Sequence, residues 1–307
     1  MELVTVLMPV YNTKEEWLRL AIESILGQTY RDIELLIVTD GPTDNSCEVV
    51  VEYANIDSRV KVVHNEKNLG LIKTLNKGLS IAKGNYIARM DSDDIALPNR
   101  LEVELKHLID NKLDLVGGRL QKIDENGRCL STPTATYTDT QVKRVIRYSD
   151  CVPHPTWLGK RGLFAELNGY REIKYCEDYD LLLRAIQHGH SLGMCDQVVL
   201  KYRINSGGIT RSNSLRQFLS ANYLKNNLTR IDEVTQSEID ATIDGKINEM
   251  ESRKFEKSIS CFRNGINAMK EKRYVGGIRS TIRGLLTSKY ALTNLRYIIL
   301  SNQAMRG

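Results

Sequence analysis

A chain of 307 residues with 41% apolar and 26% charged residues is long enough to bury a full core and too apolar to stay disordered. Its six cysteines are scattered with no C-x-x-C pair, which excludes a disulfide framework and reads as reduced, cytosolic thiols. The net charge of +5 is uneven, with residues 253–307 at +10 and residues 1–252 at −5, and the short N-terminal apolar run reads as neither a signal peptide nor a membrane span.

The first 125 residues alternate short apolar runs with amphipathic stretches, as βαβ units feeding a parallel sheet do. Val4–Val10 reads as a buried strand. Residues 14–26 place Trp17, Leu18, Ala21, Ile22 and Ile25 at helical spacing, with Asn12 or Thr13 available as the cap. A second apolar run over 33–39 ends at Asp40-Gly41-Pro42, and Asp44, Asn45 or Ser46 then starts a helix through Tyr53. A strand over 60–63, a helix over 71–82 and a strand over 85–90 follow, the last running into Asp91-Ser92-Asp93-Asp94. Residues 98–108 read as a further helix. From Leu113 the pattern loosens into mixed strands and loops, including 151–158 and 197–202. Beyond Asn213 the chain reads as helical and increasingly basic, with Gly276-Gly277 as a turn signal.

Ligands of open parallel sheets bind outside the carboxyl ends of the strands, so Asn12, Asp40, residues 65–70 and Asp91 to Asp94 are expected along one edge. Three carboxylates within Asp91-Ser92-Asp93-Asp94 repel one another unless a cation compensates them, and oxygen ligands suit Mg²⁺ or Mn²⁺. The plainer alternative is acidic decoration of a helix N-terminus. Asp40 is either a base or ribose acceptor or a turn residue, and Pro9-Val10-Tyr11-Asn12 either borders a ligand or is a plain strand exit. Asn68-Leu69-Gly70 could turn backbone N–H groups toward a phosphate or ribose. Glu177-Asp178-Tyr179-Asp180 opens an amphipathic stretch, so its acids are helix-terminal decoration or a general base that takes a proton from a hydroxyl. His154, between two prolines, falls in a stiff extended segment and is a contact or a packed loop histidine. No G-x-G-x-x-G, P-loop, zinc or G-x-S-x-G pattern is present.

In this order, the segments resemble bacterial family 2 glycosyltransferases, inverting enzymes of the GT-A fold. The resemblance runs over about residues 3–210, through Val4 to Asn12, Ser24 to Tyr30, Thr39 to Ser46, Asn68 to Gly70, Asn76 to Gly78, Ala82 to Ala88, the acidic cluster with Pro98 to Leu101, Gly169-Tyr170, and Glu177 to Arg184. It implies an α/β fold with a mostly parallel sheet flanked by helices, to which the helical pattern beyond Asn213 adds a C-terminal helical appendage. The chain is then expected to divide into a catalytic domain over 1–212, with a nucleotide-sugar half over 1–112 and an acceptor half over 113–212, and a basic helical region over 213–307 that lies outside the resemblance. Asp40 then contacts the base, Asp91 lies near the ribose, Asp93 ligates Mn²⁺ or Mg²⁺ with Asp91 beside it, and Asp178 is the catalytic base. Pro9, Val10, Tyr11, Asn12, Asn68, Gly70, Ser92 and Arg203 border the donor, and His154 and Glu177 face the acceptor.

Three residues depart from the family pattern. Thr39 replaces a usual Asp and Pro42 a usual Ser, while Asn205 stands where relatives often carry a His, which puts a third metal or phosphate contact in question. Gly207-Gly208 suggests a mobile loop. The implied reaction moves a hexose or N-acetylhexosamine from a UDP-sugar to a saccharide, probed against a nucleotidyltransferase, a glycosidase and a non-catalytic subunit as rivals. The tail interleaves Val275, Ile278, Ile282, Leu285 and Leu286 with Arg279, Arg283, Lys289 and Arg296, which suits an anionic membrane surface at the cytoplasmic face or a solvated bundle. No nucleic-acid motif is present.

Overall fold

In the computed structural model, which describes residues 2–130, 134, 136–205 and 213–306 apart from the side chains of Lys270 and Arg306, the first apolar run is strand β1 (Val4–Val10) with every residue buried. Strand β2 (Ile33–Asp40) is buried throughout as well, and β3 (Val60–Asn65) and β4 (Tyr86–Arg89) complete a parallel half-sheet. Strands β1 and β2 read as unbroken apolar runs because both of their faces are covered, whereas β3, at the sheet edge, exposes Lys61 and His64. Alternation along the strands supplies both cores: Leu7, Leu36 and Ile87 face one layer, while Val6, Met8, Leu35, Ile37 and Ala88 face the other.

The crossover helices are α1 (Glu15–Leu26), α2 (Ser46–Ile56) and α3 (Leu71–Ile81). After β4 come the short β5 (Ile95–Ala96), α4 (Arg100–Asp110), β6 (Leu115–Ile123), α5 (Asp139–Val145), β7 (Leu158–Lys160), α6 (Arg161–Glu166), α7 (Glu177–Gln187) and β8 (Leu192–Arg203). All eight strands form one sheet in the order β3-β2-β1-β4-β7-β6-β8-β5. Strand β7 is antiparallel to both β4 and β6, and β8 is parallel to β6. The carboxyl ends of β1, β2, β3, β4, β6 and β8 therefore share one edge, and the polar residues that matter gather there.

Four local expectations are corrected. Helix α1 is entered at Lys14 with no side-chain cap, because Asn12 takes a left-handed φ of 46° and turns its amide elsewhere. Helix α4 starts at Arg100, so Asp94 is not its cap. The segment around His154 is a 3₁₀ turn, His154–Thr156, rather than extended. Gly276-Gly277 lies inside a helix, the reversal before it falling at Lys272 with φ 61°. Gly207-Gly208 lies outside the described residues.

From Ser214 onward the described chain is helical: α8 (Ser214–Asn226), α9 (Gln236–Ile243), α10 (Glu249–Lys270), α11 (Tyr274–Thr287) and α12 (Ala291–Arg306), with 3₁₀ turns between α8 and α10. Thr235 caps α9 through a reciprocal bond with Glu238.

Within Glu177-Asp178-Tyr179-Asp180 the last acid is structural. Asp180 is fully buried, paired with Arg184 Nε at 2.9 Å and with Arg171, while Arg184 also donates to the carbonyls of Leu167 at 2.6 Å and Gly169 at 2.7 Å. Asp180→Ala strands the buried Arg184 guanidinium and is expected to cost about 3–5 kcal/mol of stability, read from chemical denaturation. A loss below 1 kcal/mol contradicts the clamp.

Candidate functional site

The sheet edge is organised first by Asp40. At the end of β2 its Oδ1 accepts from Asn65 Nδ2 and from the Leu69 N–H, both at 2.8 Å, and its Oδ2 accepts from the Gly70 N–H at 2.9 Å. Burial pushes this carboxyl up, but the donors from Leu69, Asn65, Thr74 and Gly70 outweigh it and hold the acid below its usual range. Asn68 Oδ1 accepts from the same Gly70 N–H at 3.0 Å, so Asn68 and Gly70 belong to a loop whose shape Asp40 fixes. Gly41 is required beside it, since φ is +61° and a Cβ would lie 2.5 Å from the Lys67 carbonyl carbon.

The exit of β1 closes the other side. Pro9 and Val10 are buried in the strand, Tyr11 is 48% exposed, and Asn12 Oδ1 accepts from the Thr43 N–H at 2.8 Å. Thr13 Oγ1 meets Ser92 Oγ at 2.7 Å, tying this exit to the acidic loop.

Asp91, Asp93 and Asp94 each bring a carboxylate oxygen to within 4.8 Å of the others. Asp93 is pushed up to about 6 by burial and by Asp91, and Asp94 is raised well above the usual range by burial and both neighbours. Asp94 Oδ1 accepts from the Arg203 N–H at 2.8 Å, while its Oδ2 is buried without a partner. Crowded acids, an orphaned carboxylate oxygen and an all-oxygen donor set fit a hard divalent cation.

Arg203, at the end of β8, donates from Nε to the Asp93 carbonyl at 2.8 Å and from Nη1 to the Asp124 and Glu125 carbonyls at 3.1 and 3.0 Å. Its guanidinium also lies over the Trp17 ring at 4.9 Å. Asn205 Nδ2 donates to Asp93 Oδ2 at 3.0 Å, and its Oδ1 is buried without a partner. The residue that departs from the family pattern thus reaches the acidic cluster directly.

Sequence reasoning missed Arg89, the last residue of β4. Its buried guanidinium forms an ion pair with Asp91, its Nε has no hydrogen-bond partner, and its charge is felt at Glu177 and Asp178. Arg89 therefore links the acidic loop to the start of α7. A basic residue at the end of a buried strand, two before an acid, is the one signal that could have exposed it.

Opposite Arg89, Glu177 is pushed up to about 8 by burial and by Asp178, and burial raises Asp178 too, opposed by the Tyr179 N–H that donates to Asp178 Oδ1 at 2.7 Å. His154 is buried, its Nε2 is 2.8 Å from the Tyr170 hydroxyl, and it packs edge-on against Trp157 at 4.5 Å. Burial and the Arg89 charge hold its ring neutral. Its placement is that of a packing residue under the site.

The raised Glu177 has a stability consequence. A glutamate whose folded pKa is about 8 favours the folded state only while protonated, so the fold loses stability as pH rises from the unfolded value toward 8. Glu177→Gln is expected to raise the melting temperature at pH 8 and to change it little at pH 5, measured by thermal unfolding without added metal. An equal shift at both values argues against this burial.

The family model described as Glycosyl transferase family 2 matches residues 5–167. An uncharacterized glycosyltransferase of Methanocaldococcus jannaschii is 36% identical over 205 residues, covering 66% of this chain and 71% of the relative. The O-antigen biosynthesis glycosyltransferase WbnJ of Escherichia coli is 30% identical over 246 residues, covering 75% and 94%. Among solved structures, S. aureus TarS 1–349 in complex with UDP-GlcNAc superposes with a TM-score of 0.62 at 17% identity, covering 94% of this chain and 93% of that one, a likeness of fold.

Proposed function

Since the chain belongs to glycosyltransferase family 2 and has the GT-A fold, we propose that it moves a hexose or N-acetylhexosamine from a UDP-sugar to a hydroxyl of a lipid-linked saccharide in bacterial surface-polysaccharide synthesis. The O-antigen relative and the UDP-GlcNAc-bound structure support this class of donor and pathway. The observation that carries the proposal is the convergence of the Asp91-Asp93-Asp94 cluster and the Glu177-Asp178 pair on the buried Arg89 at one sheet edge.

In this reading residues 1–112 hold the donor, 113–212 the acceptor, and 213–307 form the appended region. Asp40 shapes the 68–70 loop that receives the nucleoside, with Tyr11 and Asn12 at its border. Asp91 and Asp93 hold Mn²⁺ or Mg²⁺, with Asp94 Oδ2 and Asn205 Oδ1 as further oxygens beside them. A divalent cation there supplies Lewis-acid stabilisation of the charge that develops on the departing diphosphate. Asp178 takes the proton from the acceptor hydroxyl as that oxygen attacks the anomeric carbon in line, which inverts the configuration. Glu177, still protonated at neutral pH, orients the acceptor by donating a hydrogen bond.

No helix among the described residues is long and apolar enough to cross a membrane. Under this proposal the protein meets its lipid-linked acceptor peripherally, at the inner face of the cytoplasmic membrane. The deciding experiment screens UDP-Glc, UDP-Gal and their N-acetyl forms, with Mn²⁺ or Mg²⁺, for transfer to lipid-diphosphate saccharides. Transfer from one donor supports the proposal. Synthesis of a sugar nucleotide from a sugar phosphate and an NTP overturns it.

A further inference from the structure

We propose that α11 is a docking helix that lays its outer face into an anionic lipid surface. The purpose of the docking rests on the lipid-linked acceptor proposed above, but the evidence lies in the helix itself.

Helix α11 is built inside out. Its small residues Gly277, Ser280, Thr281, Gly284 and Ser288, the last just beyond the helix end, are its inward face against α10. The approach is close enough to require them: a Cβ on Gly277 would come within 3.0 Å of the Gly265 carbonyl oxygen, and one on Gly284 within 2.8 Å of the Phe262 ring. Ser280 Oγ donates to the Cys261 carbonyl at 2.8 Å, anchoring the same face.

The large apolar residues point away. Val275 is 83% exposed, Leu286 85%, Ile278 54% and Ile282 50%, and all four share one side of the helix. A helix on an ordinary protein surface turns such a stripe toward the core, so this one is arranged for a covering partner.

Charge identifies the partner. After Glu271 the sequence holds seven Lys and Arg residues and no Asp or Glu. Arg279 lies exposed on the same face between Ile278 and Ile282, and Arg283 flanks it. Neither has an ion-pair partner among the described residues. A second copy seated symmetrically on this face would bring these arginines against their own counterparts. Anionic headgroups accept them while the apolar side chains enter the acyl boundary. The rest of the chain, with −5 over residues 1–252, is repelled by the same surface, so the field presents the tail first.

The test uses the full chain in flotation with phosphatidylglycerol-containing or pure phosphatidylcholine vesicles. Wild type is expected to float with the anionic vesicles only. Val275→Ser, Ile282→Ser and Leu286→Ser together, and separately Arg279→Gln with Arg283→Gln, are each expected to weaken binding about tenfold or more. Hydrolysis of UDP-sugar in vesicle-free buffer remains unchanged in both. Flotation that survives either variant overturns the proposal, as does a concentration-dependent oligomer that the triple serine variant dissolves, which would make a second copy the occupant. Loss of flotation from wild type with hydrolysis intact sinks the docking alone, and flotation with no transfer from any donor sinks the glycosyltransfer reading instead.

Discussion

Asp178→Asn is expected to lower sugar transfer by about 10²–10⁴-fold while leaving UDP-sugar binding near wild type and the melting temperature no lower than wild type. The substitution keeps shape and burial, retains an oxygen for the Tyr179 N–H, and removes only the ability to take a proton. It leaves the Asp180 clamp two residues away untouched, so a stability loss is not expected. Binding is read by donor titration and transfer by UDP release with acceptor present. Undiminished transfer removes Asp178 from the role.

In the proposed role, the environment lets this acid serve at neutral pH. The Asp178 carboxylate raises the neighbouring Glu177 carboxyl, and close carboxyls in a buried site do not each ionise freely. The Tyr179 N–H favours the ionised form of Asp178, while Glu177, pushed up to about 8, keeps its proton. Because burial raises the Asp178 carboxyl, kcat/KM is expected to rise with pH along a limb displaced upward from the ordinary carboxylate range. That limb should disappear in Asp178→Asn.

The N-terminal part of this sheet was legible because β1 and β2 are buried on both faces. Val4–Val10 carries its assignment in the sequence itself, and β2 to β4 differ from expectation by only a residue or two at their ends. What was not legible depends on distant pairing. Asp94 looked like a cap for the next helix, yet Ile95 pairs with Lys201, and that pairing brings the Arg203 N–H to Asp94. Arg89 looked like any strand residue until β7 and α7, contributed from about residue 158 onward, enclosed it. Gly276-Gly277 looked like a turn because helix interiors disfavour glycine by about 1 kcal/mol, a cost offset at Gly277 by its close approach to α10, while Gly276 faces open space. His154 could not be told from a ligand contact because its partner, Tyr170, comes from another element.

Asp93→Ala is expected to abolish the stimulation of transfer by Mn²⁺ or Mg²⁺, a loss of several kcal/mol or on the order of 10³-fold in rate. The surrounding frame should survive, because Arg203 Nε binds the Asp93 carbonyl, which alanine retains, and the Arg203 N–H remains on Asp94. Only the carboxylate is removed, and Asn205 loses its contact with Oδ2. In wild type the Asp93 carboxyl sits at about 6, so protons compete with the cation and apparent metal affinity should fall as pH drops through that value. Metal should raise the wild-type melting temperature in proportion to occupancy and leave that of Asp93→Ala unchanged. These two readouts separate a lost ligand from a damaged fold: a variant that melts normally, fails to respond to metal and still binds UDP identifies Asp93 as the anchor of the cation. Metal-stimulated transfer in Asp93→Ala instead moves that role to Asp91 and the orphaned oxygen of Asp94.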